Sequence, residues 1–296
     1  MSTPPKSSGP PERPVITGER RDTDGSPALE YVTVEGGTIA YRRAGTGPPL
    51  LFLHGALSDG REWSRQLDTF ANDYDVVAWD APGCGGSFDP VAPFPLEAYA
   101  DALADLVAEL GLGPAHVVGL SFGSGLALSF YDRYPEMVRS LVLVSAYAGW
   151  AGSLSRDEIA RRIRQLEEVA DTTPESWVPS MVREFVSEDA EPAVVEQISA
   201  IVSAYHPAPT KVMAQAFAAA DLRPVLPSVT VPTLLLYGAD DVRAPLDVAR
   251  ALHAGIPGAE LTVLEGAGHA VNYQAPERFD ARVRAFLARA AGPPRP

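Results

Sequence analysis

Two hydrophobic periods alternate along this chain. Short runs of consecutive apolar residues are separated by stretches in which apolar residues recur every three or four positions. Leu50-Leu51-Phe52-Leu53, Val76-Val77-Ala78-Trp79, Val117-Val118, Leu141-Val142-Leu143-Val144, Leu234-Leu235-Leu236-Tyr237 and Leu261-Thr262-Val263-Leu264 predict buried strands. Their near-continuous hydrophobicity suits parallel strands covered on both faces. Before them, Tyr31–Val34 and Thr38–Tyr41 flank Glu35-Gly36-Gly37 and predict a hairpin. Helical patterns fall at about 62–72, 97–110, 123–134, 246–254 and 276–290. An antiparallel start followed by β-α repeats predicts an α/β architecture, a mostly parallel sheet flanked by helices.

The alternation stops between 150 and 224, where only helical patterns occur. Ser155-Arg156-Asp157-Glu158 is a capping box opening a helix with Ile159, Ile163, Leu166 and Val169 on one face. Pro174 suits the first turn of the next helix, and a third and a fourth follow around Ile198 and Met213. Because the strands resume directly afterwards, this stretch is expected to be a helical cap inserted into the sheet domain rather than an independent domain. The predicted organisation is a disordered tail at 1–27, core at 28–149, cap at 150–224, core again at 225–290, and a Pro-rich tail at 291–296.

Gly119-Leu120-Ser121-Phe122-Gly123 lies where an apolar strand gives way to a helical pattern. A Gly-x-Ser-x-Gly between strand and helix is the mark of a nucleophile elbow. The turn is tight enough to strain the serine backbone, and side chains two residues either side would collide, so Gly119 and Gly123 are expected to relieve the crowding. Ser121 is the candidate nucleophile.

A serine hydroxyl needs a base, and the base needs an orienting acid. Of the five histidines, His269 stands in a glycine-bearing loop directly after the last apolar strand. It is the expected general base. His116, His206 and His253 read as structural. After Tyr237 come Gly238-Ala239-Asp240-Asp241, and of the two carboxylates Asp241 is favoured, with Asp240 the alternative. The order Ser121, Asp241, His269 is that of sheet hydrolases. An oxyanion hole requires backbone N–H groups aimed at the developing charge. The amide after the nucleophile, Phe122, is one candidate. The other is Ala56, in Leu53-His54-Gly55-Ala56, where Gly55 lets the backbone approach and His54 braces the loop.

Composition narrows the partners. The net charge of −14 disfavours nucleic acid and anionic membranes. The single cysteine, Cys84, permits no intrachain disulfide and suits a reducing compartment. No apolar run is long enough to span a bilayer, and no signal-peptide pattern opens the chain, so a cytoplasmic protein is expected. No metal-ligand spacing and no dinucleotide fingerprint occur. The expected chemistry uses no metal and no cofactor, and the expected partner is a small-molecule substrate.

These residues together resemble the α/β-hydrolase fold family. His54-Gly55-Ala56, Asp80-Ala81-Pro82-Gly83-Cys84-Gly85-Gly86-Ser87, Gly119–Gly123, Gly238–Asp241 and Gly268-His269 occur in the family's order over roughly residues 28 to 290. The resemblance implies an eight-stranded sheet, a helical cap shaping the acyl or alcohol pocket, and the acid three residues after the glycine ending the seventh strand, here Asp241. It implies a serine hydrolase acting on a small or medium apolar carboxylic ester, lactone or thioester. Two other readings share the fold. A proline-type aminopeptidase would carry tryptophan after the nucleophile and cap glutamates for the substrate's amino group. Phe122 departs from that, and Glu167, Glu168 and Glu184 read as solvated helix faces. A non-catalytic small-molecule receptor or binding protein is the other.

Overall fold

The computed structural model describes residues 27–170 and 172–290. The expected tails lie outside the described residues except for Pro27, which is buried and forms a β-bridge.

Eight strands form one sheet in the order β1-β2-β4-β3-β5-β6-β7-β8. They are β1 (Leu29–Val34), β2 (Gly37–Ala44), β3 (Pro49–Leu53), β4 (Asp75–Trp79), β5 (Ala115–Leu120), β6 (Val138–Val144), β7 (Thr233–Gly238) and β8 (Glu260–Leu264). The hairpin β1–β2 is antiparallel, β2 pairs antiparallel with β4, and every later pairing is parallel. The sheet between the edges is buried on both faces, which is why its strands read as unbroken apolar runs. Val117, Leu141, Leu143, Leu235 and Tyr237 point into one core cluster, and Val118, Val142, Val144, Leu234 and Leu236 into the other. The edge strands β1 and β8 are only partly buried.

Helices α1 (Ser64–Phe70), α2 (Leu96–Glu109) and α3 (Phe122–Arg133) connect the early strands. Between β6 and β7 come five helices: α4 (Trp150–Ser153), α5 (Arg156–Ala170), α6 (Pro174–Phe185), α7 (Pro192–Val202) and α8 (Pro207–Ala219). The chain then returns through α9 (Leu246–Gly255), α10 (Val271–Gln274) and α11 (Pro276–Ala290). Only half of the expected capping box forms. Ser155 Oγ accepts the Glu158 amide at 3.2 Å, but the Glu158 carboxylate turns to Arg161 and Arg162. Two guanidinium partners outweigh one backbone amide for an ionised side chain.

The strand order reverses at β3, which lies between β4 and β5. In open α/β sheets ligands bind outside the carboxyl ends of strands at such a switch point. The loops leaving β3, β5, β7 and β8 all end at that edge.

Candidate active site

Ser121 caps α3 with φ +53° and ψ −110°, a left-handed conformation that costs a non-glycine residue roughly 1–3 kcal/mol. The flanking glycines are required by contact. A Cβ at Gly119 would run into the carbonyl oxygen of Gly123, and a Cβ at Gly123 into that of Leu53. The Ser121 amide donates to the Val144 carbonyl at 2.9 Å, pinning the elbow to the next strand. Phe122 opens α3, so its N–H has no intrahelical acceptor. Its ring is buried between Tyr99 and Phe217, at 5.2 and 5.4 Å between centroids.

His269 and Asp241 meet. Nδ1 of His269 lies 2.9 Å from Asp241 Oδ2 and 3.1 Å from Oδ1, with both side chains almost fully buried. Asp241 Oδ1 also accepts the backbone amides of Arg243 (2.9 Å) and Ala244 (2.8 Å). Burial works against the charge of this carboxylate. The His269 ring, the Ala244 amide and the Ser145 hydroxyl overcome it and hold the Asp241 pKa below the ordinary range. Asp240 is exposed, and its amide bonds the Ala267 carbonyl. The histidine loop is fixed from several sides. Ser145 Oγ donates to the His269 carbonyl at 3.0 Å, the Ala270 amide to the Phe185 carbonyl at 2.8 Å, and the Gly268 amide to Gln274 Oε1 at 2.8 Å. Phe185, at the end of α6, lies over the His269 ring at 5.9 Å and 30°.

The loop after β3 is held just as firmly. The Ala81 amide donates to Nε2 of His54 at 2.9 Å, which leaves the ring proton on Nδ1 to donate to the Gly55 carbonyl at 2.7 Å. Burial lowers the His54 pKa, in keeping with a neutral ring. Gly55 O and the Ala56 N–H belong to one trans peptide unit, so anchoring the oxygen turns the N–H the opposite way. The Gly55 amide donates to Glu62 Oε2 at 2.7 Å. Burial, against that hydrogen bond and helped by the charge of Asp59, raises the Glu62 pKa from 4.5 to about 8. Burial thus favours the neutral form of Glu62.

Gly55, Ala56, Ser121, Phe122 and His269 line one cleft of about 850 Å³, its open mouth included. Asp241 stands behind His269. The opposite wall comes from the helical insertion, including Trp150, Leu166, Ile201, Met213 and Phe217. Trp177 and Met181 are buried inside the insertion instead. Gly119, Gly123 and His54 shape the cleft from behind its surface.

Several contributors carry no motif. Glu62, Ser145, Arg162, Phe185, Arg243 and Gln274 reach the cleft or its supporting loops from scattered positions. Arg243 was within sight, two residues beyond Asp241, and Glu62 precedes the buried Trp63 on a short 3₁₀ turn. Glu184 is not a solvated face. Its carboxylate is half-buried and pairs with Arg243 at 2.6 Å. Glu167 and Glu168 are exposed.

The remaining histidines are occupied elsewhere. His116 Nδ1 is 2.7 Å from Ser140 Oγ, His206 pairs with Asp89 at 3.0 Å, and His253 meets the Ala259 carbonyl. Cys84 is buried, and burial pushes its thiol pKa far up, which leaves it unreactive. Among the described residues no His, Cys, Asp and Glu cluster could hold a metal ion, and no helix is long and apolar enough to cross a membrane.

The chain is similar to a 2-hydroxy-6-oxononadienedioate/2-hydroxy-6-oxononatrienedioate hydrolase of Burkholderia vietnamiensis, at 29% identity covering 89% of this chain and 97% of the relative. A Pseudomonas hydrolase of the same name is 26% identical over 86% and 93% of the two chains. Among solved structures, a thermophilic esterase from Thermogutta terrifontis, with malate bound, superposes with a TM-score of 0.81 at 28% identity, covering 89% of this chain and 99% of the esterase. The family model described as alpha/beta hydrolase fold matches residues 48–276, and the chain belongs to that family.

Proposed function

We propose that the protein is a serine hydrolase that cleaves a small or medium, largely apolar carboxylic ester, lactone or thioester through an acyl-enzyme. The carrying observation is that Ser121, in a strained elbow, and His269, bonded through Nδ1 to Asp241, open onto one cleft.

With Nδ1 committed to Asp241, the other ring nitrogen of His269 is the base. It takes the Ser121 proton as Oγ attacks the substrate carbonyl, and it returns that proton to the leaving group as the tetrahedral intermediate collapses. Asp241 fixes the tautomer and stabilises the imidazolium. The amides of Ala56 and Phe122 receive the oxyanion. One is aimed by the His54 bond to its own peptide carbonyl, the other by the helix start. Water activated by His269 then releases the acid and restores Ser121. The helices between β6 and β7 act as the cap that excludes water and shapes the acyl or alcohol pocket.

The aminopeptidase reading is disfavoured by the same wall. A substrate's N-terminal ammonium would need an acid facing Ser121, and the charged groups lining the cleft from the insertion side and the acid loop are Arg162 and Arg243.

Labelling with a fluorophosphonate, followed by peptide mass mapping, tests the proposal. The expected result is modification at Ser121, abolished by His269→Ala and absent in Ser121→Ala. Folded protein that resists the probe and turns over no ester would return the binding-protein reading to the front.

A further inference from the structure

The wall of the cleft opposite the elbow is apolar except at Thr210 and two guanidinium groups. Arg162, from α5, is almost fully buried and each of its three nitrogens is bonded to a protein acceptor. Nε bonds Glu158 at 2.7 Å, Nη1 the Tyr147 hydroxyl at 3.0 Å, and Nη2 the Arg243 carbonyl at 2.8 Å. It also stacks on Trp150 and Tyr147, 5.5 and 5.6 Å from the ring centroids. Arg243 differs. Among the described residues its side-chain hydrogen bonds run through Nη1 alone, to Glu184 Oε2 at 2.6 Å and to Met181 Sδ at 3.7 Å. Among the described residues no acceptor meets Nε or Nη2, and 13% of the side chain stays exposed in the cleft lining. The group lies over the Phe185 ring, 5.3 Å from its centroid, and the same ring lies 5.9 Å from that of His269. One aromatic ring therefore neighbours both the guanidinium and the histidine.

The titratable groups lining the cleft are Glu62, Arg162, Arg243, Tyr273 and His269. Glu62 stands on the strand side, where its carboxyl accepts the Gly55 amide at 2.7 Å. The acids that pair with the arginines, Glu158 and Glu184, stand behind the wall. The insertion-side wall thus presents two guanidinium groups to the cleft, while their carboxylate partners lie outside the lining. We propose that Arg243 is an anion subsite whose free Nε and Nη2 receive a carboxylate at the far end of the substrate, so that the preferred ester is apolar in the middle and carboxylate-terminated. Two parallel N–H donors match a carboxylate in the bidentate fork. Burial and the nearby charge of Arg162 both work against the charge of Arg243, and a bound carboxylate offsets both. The molecule's net charge of −14 does not steer such a substrate, so its recognition is local.

This inference rests on the hydrolytic reading of the cleft. A plain strut from the Asp241 loop to α6 through Glu184 would use only Nη1 and would not distinguish substrates. The test compares kcat/KM for the p-nitrophenyl monoester of glutaric acid with that for p-nitrophenyl pentanoate, in the wild type, Arg243→Gln and Arg243→Lys. The wild type should prefer the anionic ester. The anionic-to-neutral ratio should fall by about tenfold or more in Arg243→Gln, the size of a charged hydrogen bond, mainly through KM, and recover in part in Arg243→Lys. An unchanged ratio, or a wild type that prefers the neutral ester, overturns the proposal. If Arg243→Gln does not fold, wild-type neutral-ester hydrolysis decides: competitive inhibition by glutarate, but not by pentanediamide, supports the subsite, and equal effects overturn it. Calorimetry on Ser121→Ala protein separates the two readings. Saturable glutarate binding, lost when Arg243→Gln is added, supports the subsite even if no ester is ever hydrolysed, which would sink the hydrolase reading alone. Absence of binding overturns the subsite.

Discussion

The two walls of the cleft are built on different principles. On one side every element is fixed by the sheet: the elbow, the β3 loop and the loop after β7 start from strands buried on both faces, the histidine loop from the edge strand β8, and their side chains are locked by bonds between backbone and neighbouring loops. On the other side stand helices of the insertion, which meet the cleft with Trp150, Leu166, Ile201, Met213 and Phe217. Their packing fills space and makes few directed bonds across the cleft. The first wall holds the groups assigned to bond-breaking, where small displacements are costly. The second holds groups that decide what fits. Substitutions on the strand side should therefore cut the turnover of all substrates alike. Substitutions facing the cleft from the insertion, or at Arg243 between the two walls, should reorder substrates.

The largest expected effect is at the acid. Asp241→Asn keeps the shape but offers an amide to His269 Nδ1, which favours the wrong tautomer, and kcat should fall on the order of 10⁴-fold for every ester tried. Asp240→Asn, at an exposed side chain, should stay within about twofold of wild type, the scale of a surface change of under ~0.5 kcal/mol. Steady-state kinetics on a neutral and an anionic ester checks both claims. A large loss at Asp240, or a loss at Asp241 confined to one substrate, would break the division between the walls.

Sterics set the next effect. Gly123→Ala places a methyl against the Leu53 and His54 carbonyl oxygens, which belong to the β3 strand end and cannot move without disturbing the oxyanion loop. Overpacking of this kind costs about 1–3 kcal/mol or more, so a lower midpoint in urea and a depressed kcat should appear together. Full stability with full activity would show that the elbow has more room than its contacts imply.

The strand wall was legible in the sequence because its constraints are local. A Cβ that cannot fit, a donor that must follow the nucleophile, and a loop after an apolar run each leave a residue type at a fixed offset. Gly119, Ser121, Phe122 and Gly123 sit within five positions. The strands were equally legible: burial on both faces removes polar residues from those inside the sheet, and the Glu35-Gly36-Gly37 turn marks the hairpin at its edge. What the sequence did not disclose is set by distance along the chain. Ser145 touches His269 across 124 residues, and Arg162 reaches the Arg243 carbonyl across 81. Glu184 looks like any acid on a helix face until Arg243 is brought to it. Glu62 shows no pattern either, because its raised pKa comes first from burial, which the fold and not the local sequence sets.

Glu62 supplies the smallest effect and a check on the strand wall. Its carboxyl titrates at 4.5 unperturbed and at about 8 in the folded protein, so the unfolded chain releases its proton first as pH rises. Folding free energy is lost over that interval, from about pH 4.5 to 8, and the loss levels off once the folded protein has also ionised. Glu62→Gln keeps an oxygen to accept the Gly55 amide and removes the titration. The melting temperature of Glu62→Gln minus that of wild type should be smallest near pH 5, rise steadily to about pH 8 and then hold. Activity gives a second readout. Ionised Glu62 would place negative charge against the Gly55 amide, beside the Ala56 amide proposed to hold the oxyanion, so wild-type kcat should decline above about pH 8. In Glu62→Gln that alkaline limb should flatten. A melting-temperature difference that does not change with pH would mean that Glu62 is already ionised in the folded protein, and that the loop after β3 carries a charge that the oxyanion amides must work against.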